Sequence, residues 1–194
     1  MLRKVLLSLF FMVMLCGAAH AQIARIRIVA PKVLEGRKAI LLTREREFAA
    51  IVHSISLGFD TTHLQMSRDL LPDLYQFQIS KMKGSLTFFF EPGTEIILDT
   101  ANLARSKVNY SRSDREWHIF QDSLLVAGQQ NYLATARSFI SLYPKSYVSL
   151  YLLKTNWYTL KNEGLFEKLD PALDNHRNYR YLKAKSAGLA KASR

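Results

Sequence analysis

The hydrophobic and polar positions of the chain follow two different periods, one in each half. Apolar and polar side chains alternate over residues 25–28 and 74–79, and this period of two predicts strands with one face in water. Residues 38–43, 51–57 and 96–98 are further predicted strands, and the second of these would place on one face Ile51, His53, Ile55 and Leu57. Several short strands separated by turns are typical of an antiparallel β-sandwich or a small barrel.

Residues 86–90 differ from the other predicted strands because they are almost continuously apolar and aromatic. This composition predicts a strand that is buried on both faces. The Glu91-Pro92-Gly93-Thr94 sequence then predicts a turn, since proline fixes the first central φ and glycine adopts a positive second one.

After residue 109 the hydrophobic period becomes helical. Ser113 and Asp114 are predicted to cap a first helix, and Ser146 a later one that runs through Trp157 and is broken at Gly164. Between them a helix is predicted to end at Pro144. The apolar positions of the first two helices are Trp117, Phe120, Leu124 and Leu125, then Tyr132, Ala136, Phe139 and Tyr143. Residues 165–169 form a short amphipathic piece, and residues 170–171 (Asp-Pro) are typical of an N-cap followed by proline in the first helical position.

Strands followed by helices predict an α+β fold, with an antiparallel β-sandwich or small barrel followed by an α-helical segment. We divide the chain into a signal peptide at residues 1–21, a β-rich domain at residues 22–110, and a helical region with a basic C-terminal tail at residues 111–194.

The N-terminus has the three parts of a secretory signal peptide. Arg3 and Lys4 precede an apolar run over residues 5–16, and the Ala19-His20-Ala21 triplet follows. The apolar run is too short for a spanning helix, which needs about 20 residues. We therefore expect cleavage after Ala21 and secretion across the inner membrane to the periplasm or cell envelope. A lipoprotein signal acylated at Cys16 is the alternative, and the large Leu15 before it fits that processing poorly.

Cys16 is the only cysteine, and it lies in the predicted signal peptide. The mature chain would have no thiol. This excludes disulfides, Cys-x-x-Cys redox chemistry and thiolate metal sites, so that a hydrophobic core must hold the domain together.

The chain is strongly basic, with a formal net charge of +11. Six basic residues and no acidic residue follow Asp174. A basic tail is typical of contact with nucleic acid or an anionic membrane, and secretion argues against nucleic acid. The simplest interpretation is a solvated final helix, with weak contact to an anionic membrane surface as the alternative.

The polar side chains of the sequence give no catalytic constellation. The histidines after residue 21 lack the spacing of metal ligands on a helix, and they are His53, His63, His118 and His176. The Asp60-Thr61-Thr62-His63 stretch has no nucleophile turn and is interpreted as a polar loop. Residues 44–47, Arg-Glu-Arg-Glu, are interpreted as a solvent-exposed loop or the start of a helix. We expect no catalytic residue, metal or cofactor.

Three other features have both a functional and a structural interpretation. Glu91, Glu95 and Asp99 are carboxylates around one turn, as glycoside hydrolysis would need, but Glu91 and Glu95 are more simply the turn's solvated edges. Residues 109–111, Asn-Tyr-Ser, match a glycosylation sequon that matters only in a eukaryotic secretory pathway. The helical aromatics could stack a ligand, but their spacing favours a core.

The order of several motifs resembles a known family. These motifs are Pro-x-Leu-Tyr-x-Phe from residue 72, Phe90-Glu91-Pro92-Gly93, Glu116-Trp117-x-x-Phe120, Phe139-Ile140-x-x-Tyr143-Pro144-x-Ser146-x-Val148-Ser149 and Leu165-Phe166-x-x-Leu169. Together they resemble the N-terminal domain of unknown function of Bacteroidetes thiol–disulfide oxidoreductases of the TlpA/ResA type. The resemblance covers nearly all of the chain after the signal peptide.

The resemblance implies an accessory module rather than an enzyme. In that family a thioredoxin-like domain follows the segment matching residues 179–189, whereas this sequence ends at Arg194. We therefore expect a non-catalytic envelope module that binds or positions a protein or small ligand. The alternative is an accessory part of an oxidoreductase whose redox domain is on another chain or was lost by truncation. We expect association with another envelope protein or with itself, through the aromatic-rich helical half between Trp117 and Trp157.

Overall fold

We describe the protein from a computed structural model, which describes residues 23–45, 48–67 and 72–192. The predicted signal peptide and its cleavage site lie outside these residues. The strands, in chain order, are β1 Ile23–Ala30, β2 Lys38–Glu45, β3 Phe48–Ser56, β4 Asp60–Ser67, β5 Asp73–Ile79, β6 Leu86–Phe90, β7 Glu95–Ile97 and β8 Lys107–Asn109. The helices are α1 Arg112–Ala127, α2 Tyr132–Leu142, α3 Tyr147–Thr155, α4 Trp157–Leu160 and α5 Arg177–Ala192.

The strands form two four-stranded sheets, and the predicted α+β fold with a sandwich-like arrangement is confirmed. One sheet has the order β4-β1-β7-β8 and the other the order β3-β2-β5-β6. All neighbouring strands are antiparallel except β1 and β7, which are parallel. Neither sheet closes on itself, so the small-barrel alternative does not apply.

The inward faces of the two sheets share one hydrophobic core. Ile26 and Ile28 of β1 are fully buried in it, as are Phe88 and Phe90 of β6. On β5, Tyr75, Phe77 and Ile79 are buried, while the glutamines between them are only partly so, as the alternating sequence predicts.

Strand β6 also contributes to a second core. Successive side chains of a strand point to opposite faces, so Phe89 points away from the sandwich. It is fully buried against the helices, in a cluster that includes Phe120, Ile140 and Leu153. The prediction that this strand is buried on both faces is therefore confirmed, and Phe89 is where the helical layer meets the sheet.

The helix boundaries agree with the sequence in part. Ser146 caps α3 as predicted, because its Oγ accepts a hydrogen bond from the Val148 N–H at 3.0 Å. The cap of α1 is Ser111 rather than the predicted Ser113 or Asp114, which lie in the first turn. A break at Asn156 divides the helix predicted to continue to Gly164 into α3 and α4, and α4 already ends at Leu160.

Two shorter segments precede the final helix. Residues 165–169 form turns, in which the predicted amphipathic pattern places Leu165 and Leu169 in the helical core. Asp170 is an N-cap as predicted, but the helix it caps is a single 3-10 turn over Pro171–Leu173.

Two strand predictions are wrong in a physically informative way. The stretch interpreted as a polar loop at residues 60–63 begins β4, whose polar side chains alternate with the buried Leu64 and Met66. In β3, a register shift places Ile51 opposite Leu42 but His53 opposite Leu41. This bulge interrupts the regular alternation that the prediction assumed over residues 51–57.

The charge run at residues 44–47 was predicted to be a loop or a helix start. Its described part is neither. Arg44 and Glu45 end β2 and pair with β3, whereas residues 46 and 47 lie outside the described residues. Among residues 23–45, 48–67 and 72–192, no helix is long and apolar enough to cross a bilayer.

Candidate functional site

Several buried polar groups lie where the helices meet the sheet. Ser111, the N-cap of α1, and Asp114, in its first turn, both contact the backbone of Phe89. Asp114 Oδ1 accepts a hydrogen bond from the Phe89 N–H at 3.0 Å, and Ser111 Oγ donates one to the Phe89 carbonyl at 3.0 Å. The two side chains thus occupy the outer edge of β6, where another strand would otherwise pair.

Glu91 extends this cluster along the same side of the sheet. Its carboxylate accepts hydrogen bonds from the Ser113 hydroxyl at 2.6 Å and from the Ser113 N–H at 3.2 Å. A carboxylate at the start of a helix also interacts favourably with the exposed N–H groups there. The expectation that Glu91 is a solvated edge of the turn is therefore wrong.

Glu116 connects α1 to α3. One oxygen of its carboxylate accepts from the Arg112 Nε at 2.7 Å, and the other accepts from the Ser146 Oγ at 2.6 Å. Because Ser146 Oγ also caps α3, a single hydroxyl joins the start of α3 to the side of α1. We call the set Glu91, Ser111, Ser113, Asp114, Glu116 and Ser146 the junction cluster.

A second buried polar group joins the end of the chain to β5. Asp73 is 3% exposed, and its Oδ2 accepts a hydrogen bond from Asn178 Nδ2 at 3.0 Å. Arg177 Nη2 lies 3.6 Å from the same oxygen. The adjacent His176 is also 3% exposed, and its Nδ1 accepts from the Asn178 N–H at 3.1 Å. We call Asp73, His176, Arg177 and Asn178 the C-terminal cluster.

The burial of both clusters changes the pKa values of their titratable groups. Burial raises the pKa of Asp114, and the Phe89 N–H opposes this less strongly. Burial likewise raises the pKa of Asp73 against its hydrogen bonds from the Leu74 N–H and Asn178. Burial, and then the neighbouring charge of Arg177, lowers the pKa of His176 to about 4. His176 is therefore neutral at neutral pH.

These contacts determine what chemistry the clusters can perform. Each carboxylate of the junction cluster accepts hydrogen bonds that hold one element to another. His118 Nε2 lies 3.5 Å from Asp114 Oδ2, but the His118 side chain is 67% exposed. A base that activates a nucleophile must lie within hydrogen-bonding distance of it, and His118 has no such hydrogen bond to a serine of the described chain. The geometry supports a structural role.

The other candidates from the sequence are dispersed over the fold. His53 lies on β3 and His63 on β4, in different sheets. Glu95 lies on the uncovered face of its sheet, 3.2 Å from Arg27 Nη1 and 3.2 Å from Asn109 Nδ2. Within the described part of the chain, no group of three or more His, Cys, Asp or Glu side chains is arranged to hold a metal ion.

Asp99 has a local structural role. Its Oδ1 accepts from the Ala101 and Asn102 N–H groups, and these hydrogen bonds lower the pKa of Asp99. It is thus a turn carboxylate, separate from Glu91, and the three carboxylates around the turn do not form a paired site.

The aromatic side chains of the helical half form a core. Trp117 lies 5.8 Å from Phe89 and 5.4 Å from Phe120, measured between ring centroids. Trp157 is 4% exposed. The aromatics therefore do not supply the interaction surface that their number suggested. The large side chains exposed on this half are mainly aliphatic, with Val126 at 90%, Leu125 at 78% and Leu142 at 74%.

The sequence did not reveal the C-terminal cluster. Asp73 and Asn178 are 105 residues apart, and neither lies in a recognisable motif. The one local signal was an asparagine among the apolar positions at the start of the final helix. A polar side chain at a core position requires a buried partner.

Motif residues that underlie the family resemblance meet in the junction cluster. Glu91 comes from the turn motif, Glu116 from the α1 motif and Ser146 from the motif that precedes α3. Their contacts hold elements of the fold together and do not form a catalytic arrangement. A comparison with protein-family models, with curated proteins and with solved structures found no match to the chain.

Proposed function

We propose that this chain is a secreted, non-catalytic module of the cell envelope that binds or positions a protein or a small ligand. The observation that carries the proposal is the exposure of Leu125 and Val126, which are consecutive residues of a well-packed helix. Val126 is the most exposed large hydrophobic side chain of the described residues. Contiguous exposed apolar patches mark protein contacts, and we infer that these two side chains belong to one.

The polar groups support the non-catalytic part of the proposal. Asp73, Asp114 and Glu116 are buried and hydrogen-bonded within the protein. A general acid or base must present its proton to a substrate. These three carboxylates are instead directed at a backbone N–H or at a side chain of another element.

A second candidate function is that of an accessory part of a thiol–disulfide oxidoreductase whose redox domain is on another chain. It is supported by the meeting of Glu91, Glu116 and Ser146, three residues of the resembling motifs, at one structural junction. The sequence after Cys16 contains no cysteine, so the protein alone should not reduce insulin disulfides. Reduction above background by the secreted protein would contradict both candidates.

The experiment for the leading proposal compares the wild-type chain with a Leu125→Ser/Val126→Ser variant. Burying these two side chains in an interface contributes about 3 kcal/mol or more, so the variant should bind its partner roughly a hundredfold more weakly. Light scattering of the purified protein measures self-association, and chemical crosslinking in intact envelopes measures association with another protein.

The control variant is Asn162→Ser, at an exposed polar position of the same helical half. It should associate like the wild type. Equal association of all three proteins would show that the Leu125–Val126 surface is not the interface. A strictly monomeric wild type without a crosslinked product at native abundance would contradict the proposal.

A further inference from the structure

The final helix α5 has one face in the core and the opposite face in water. Tyr179 and Leu182 are buried against the helical layer, and Asn178 is anchored to Asp73. Arg180 and Lys183 are exposed. Because residues three apart lie on the same side of a helix, these two cations form a row that points away from the domain. The core contacts therefore fix the orientation of the row.

The charges of this row are not neutralised within the protein. Among the described residues, Arg180 and Lys183 form no ion pair with a carboxylate, unlike Arg177, which lies near Asp73. Arg180 donates to the Asn175 carbonyl at 3.1 Å. This contact orients the guanidinium without cancelling its charge.

The sequence of α5 adds positive charge and no acidic side chain, while Glu167 of the preceding turn accepts a hydrogen bond from Ser186 of the helix at 3.4 Å. Residues 175–194 contain six basic and no acidic side chains. The side chains between the cations on this outer side are small, as at Ala184 and Ala187, both exposed. A flat surface can therefore approach the ammonium and guanidinium groups closely. Charge complementarity indicates an anionic partner, and an extended planar one fits a straight row on a helix.

We propose that the outer face of α5, defined by Arg180 and Lys183, docks the protein on an anionic phospholipid surface. Each Lys or Arg near such a surface contributes favourable energy, and the attraction decreases within a Debye length. Because we propose that the protein is secreted, we expect the polyanion that it encounters to be a membrane rather than a nucleic acid. This contact uses residues of α5, whereas Leu125 and Val126 belong to α1.

The test is co-flotation of the full chain with phospholipid vesicles at low salt. One vesicle type is pure phosphatidylcholine, and the other contains about one third phosphatidylglycerol, an anionic lipid. The apolar N-terminal segment is common to all variants, and the uncharged vesicles measure its contribution. We expect binding to the anionic vesicles to exceed binding to the uncharged ones, and to decrease as salt is added.

The key variant is Arg180→Gln/Lys183→Gln. It should bind anionic vesicles about 25-fold more weakly, roughly fivefold for each cation removed. The matched control is Lys83→Gln/Lys107→Gln, which removes the same charge from exposed positions outside the helices. It should retain most of the binding, and circular dichroism should show that both variants fold.

Three results would overturn the proposal. The first is no preference of the wild type for anionic vesicles at low salt. The second is an equal loss of binding in the control variant, which would show that only net charge matters. The third is tighter binding to duplex DNA than to vesicles at the same salt, which would make a nucleic acid the partner.

Discussion

The carboxylate of Asp114 accepts a hydrogen bond from the backbone N–H of Phe89 at 3.0 Å, although the two residues are 25 positions apart. Strand β6 is the last strand of its sheet, and its outer edge would otherwise present free backbone groups. Exposed strand edges promote unwanted pairing with other chains. A side chain of α1 therefore protects the edge and at the same time fixes the helix to the sheet.

Replacing Asp114 with alanine should destabilise the protein by about 1–3 kcal/mol, because the Phe89 N–H is then buried without an acceptor. The measurement is the free energy of unfolding in urea. The matched control is Arg115→Ala, an exposed neighbour in the same helical turn. If the two variants were equally stable, the Asp114–Phe89 hydrogen bond would not hold the helix to the sheet.

Phe88→Asp should destabilise the fold by several kcal/mol, because Phe88 is fully buried in the sandwich core and an aspartate there has no partner. Thr87→Asp is the control, since Thr87 precedes it on the same strand and is exposed. Thermal unfolding followed by circular dichroism compares the two. A Phe88→Asp melting temperature close to that of the wild type would contradict the placement of this strand.

How much of this architecture the sequence predicts depends on whether a feature is local. The double burial of β6, the Glu91–Thr94 turn and the Ser146 cap were predicted, because each follows from a few neighbouring residues. Strand β4 was not predicted, because its first residues are polar and the alternation appears only at Leu64 and Met66. A one-residue bulge such as the one in β3 depends on pairing with β2 and has no local signature.

The candidate site was less predictable than the fold. Glu91, Asp114 and Glu116 were visible as carboxylates, but their partners depend on how α1 lies against β6. The same applies to Asp73 and Asn178, which only the tertiary fold brings together. Buried polar contacts between distant segments are a property of packing, and hydrophobic periodicity does not encode them.

His176 should make the stability of the protein depend on pH between about 6.5 and 4. Its pKa is lowered to about 4 in the folded state, because burial and the charges of Arg177 and Lys154 disfavour the protonated ring more strongly than the Pro72 carbonyl favours it. In this range the unfolded chain binds the proton and the folded chain does not. The free energy of unfolding should therefore decrease as the pH falls, by up to about 3 kcal/mol from this group.

The check is a comparison of urea unfolding at neutral and acidic pH for the wild type and His176→Gln. The raised pKa values of Asp73 and Asp114 act in the opposite direction, so the difference between the two proteins isolates His176. His63→Gln, at an exposed position of β4, serves as a control and should follow the wild type. An unchanged pH profile in His176→Gln would show that this ring is not the group that titrates.

The N-terminus of the secreted protein should be Gln22 or its cyclised form, because Ala19 and Ala21 are the small residues that a signal peptidase accepts. Intact-mass spectrometry of protein recovered from the envelope measures this directly. Recovery of a chain that begins with a lipid-modified Cys16 would instead support the lipoprotein alternative.

The most direct test of the central claim is site-specific photocrosslinking in living cells. A crosslinking amino acid at position 126, on the exposed end of α1, should give a discrete product with another envelope protein or with a second copy of the chain. The same group at position 162, an exposed polar position of the helical half, should not. Absence of any discrete product from position 126 at native abundance would contradict a binding module that uses this surface.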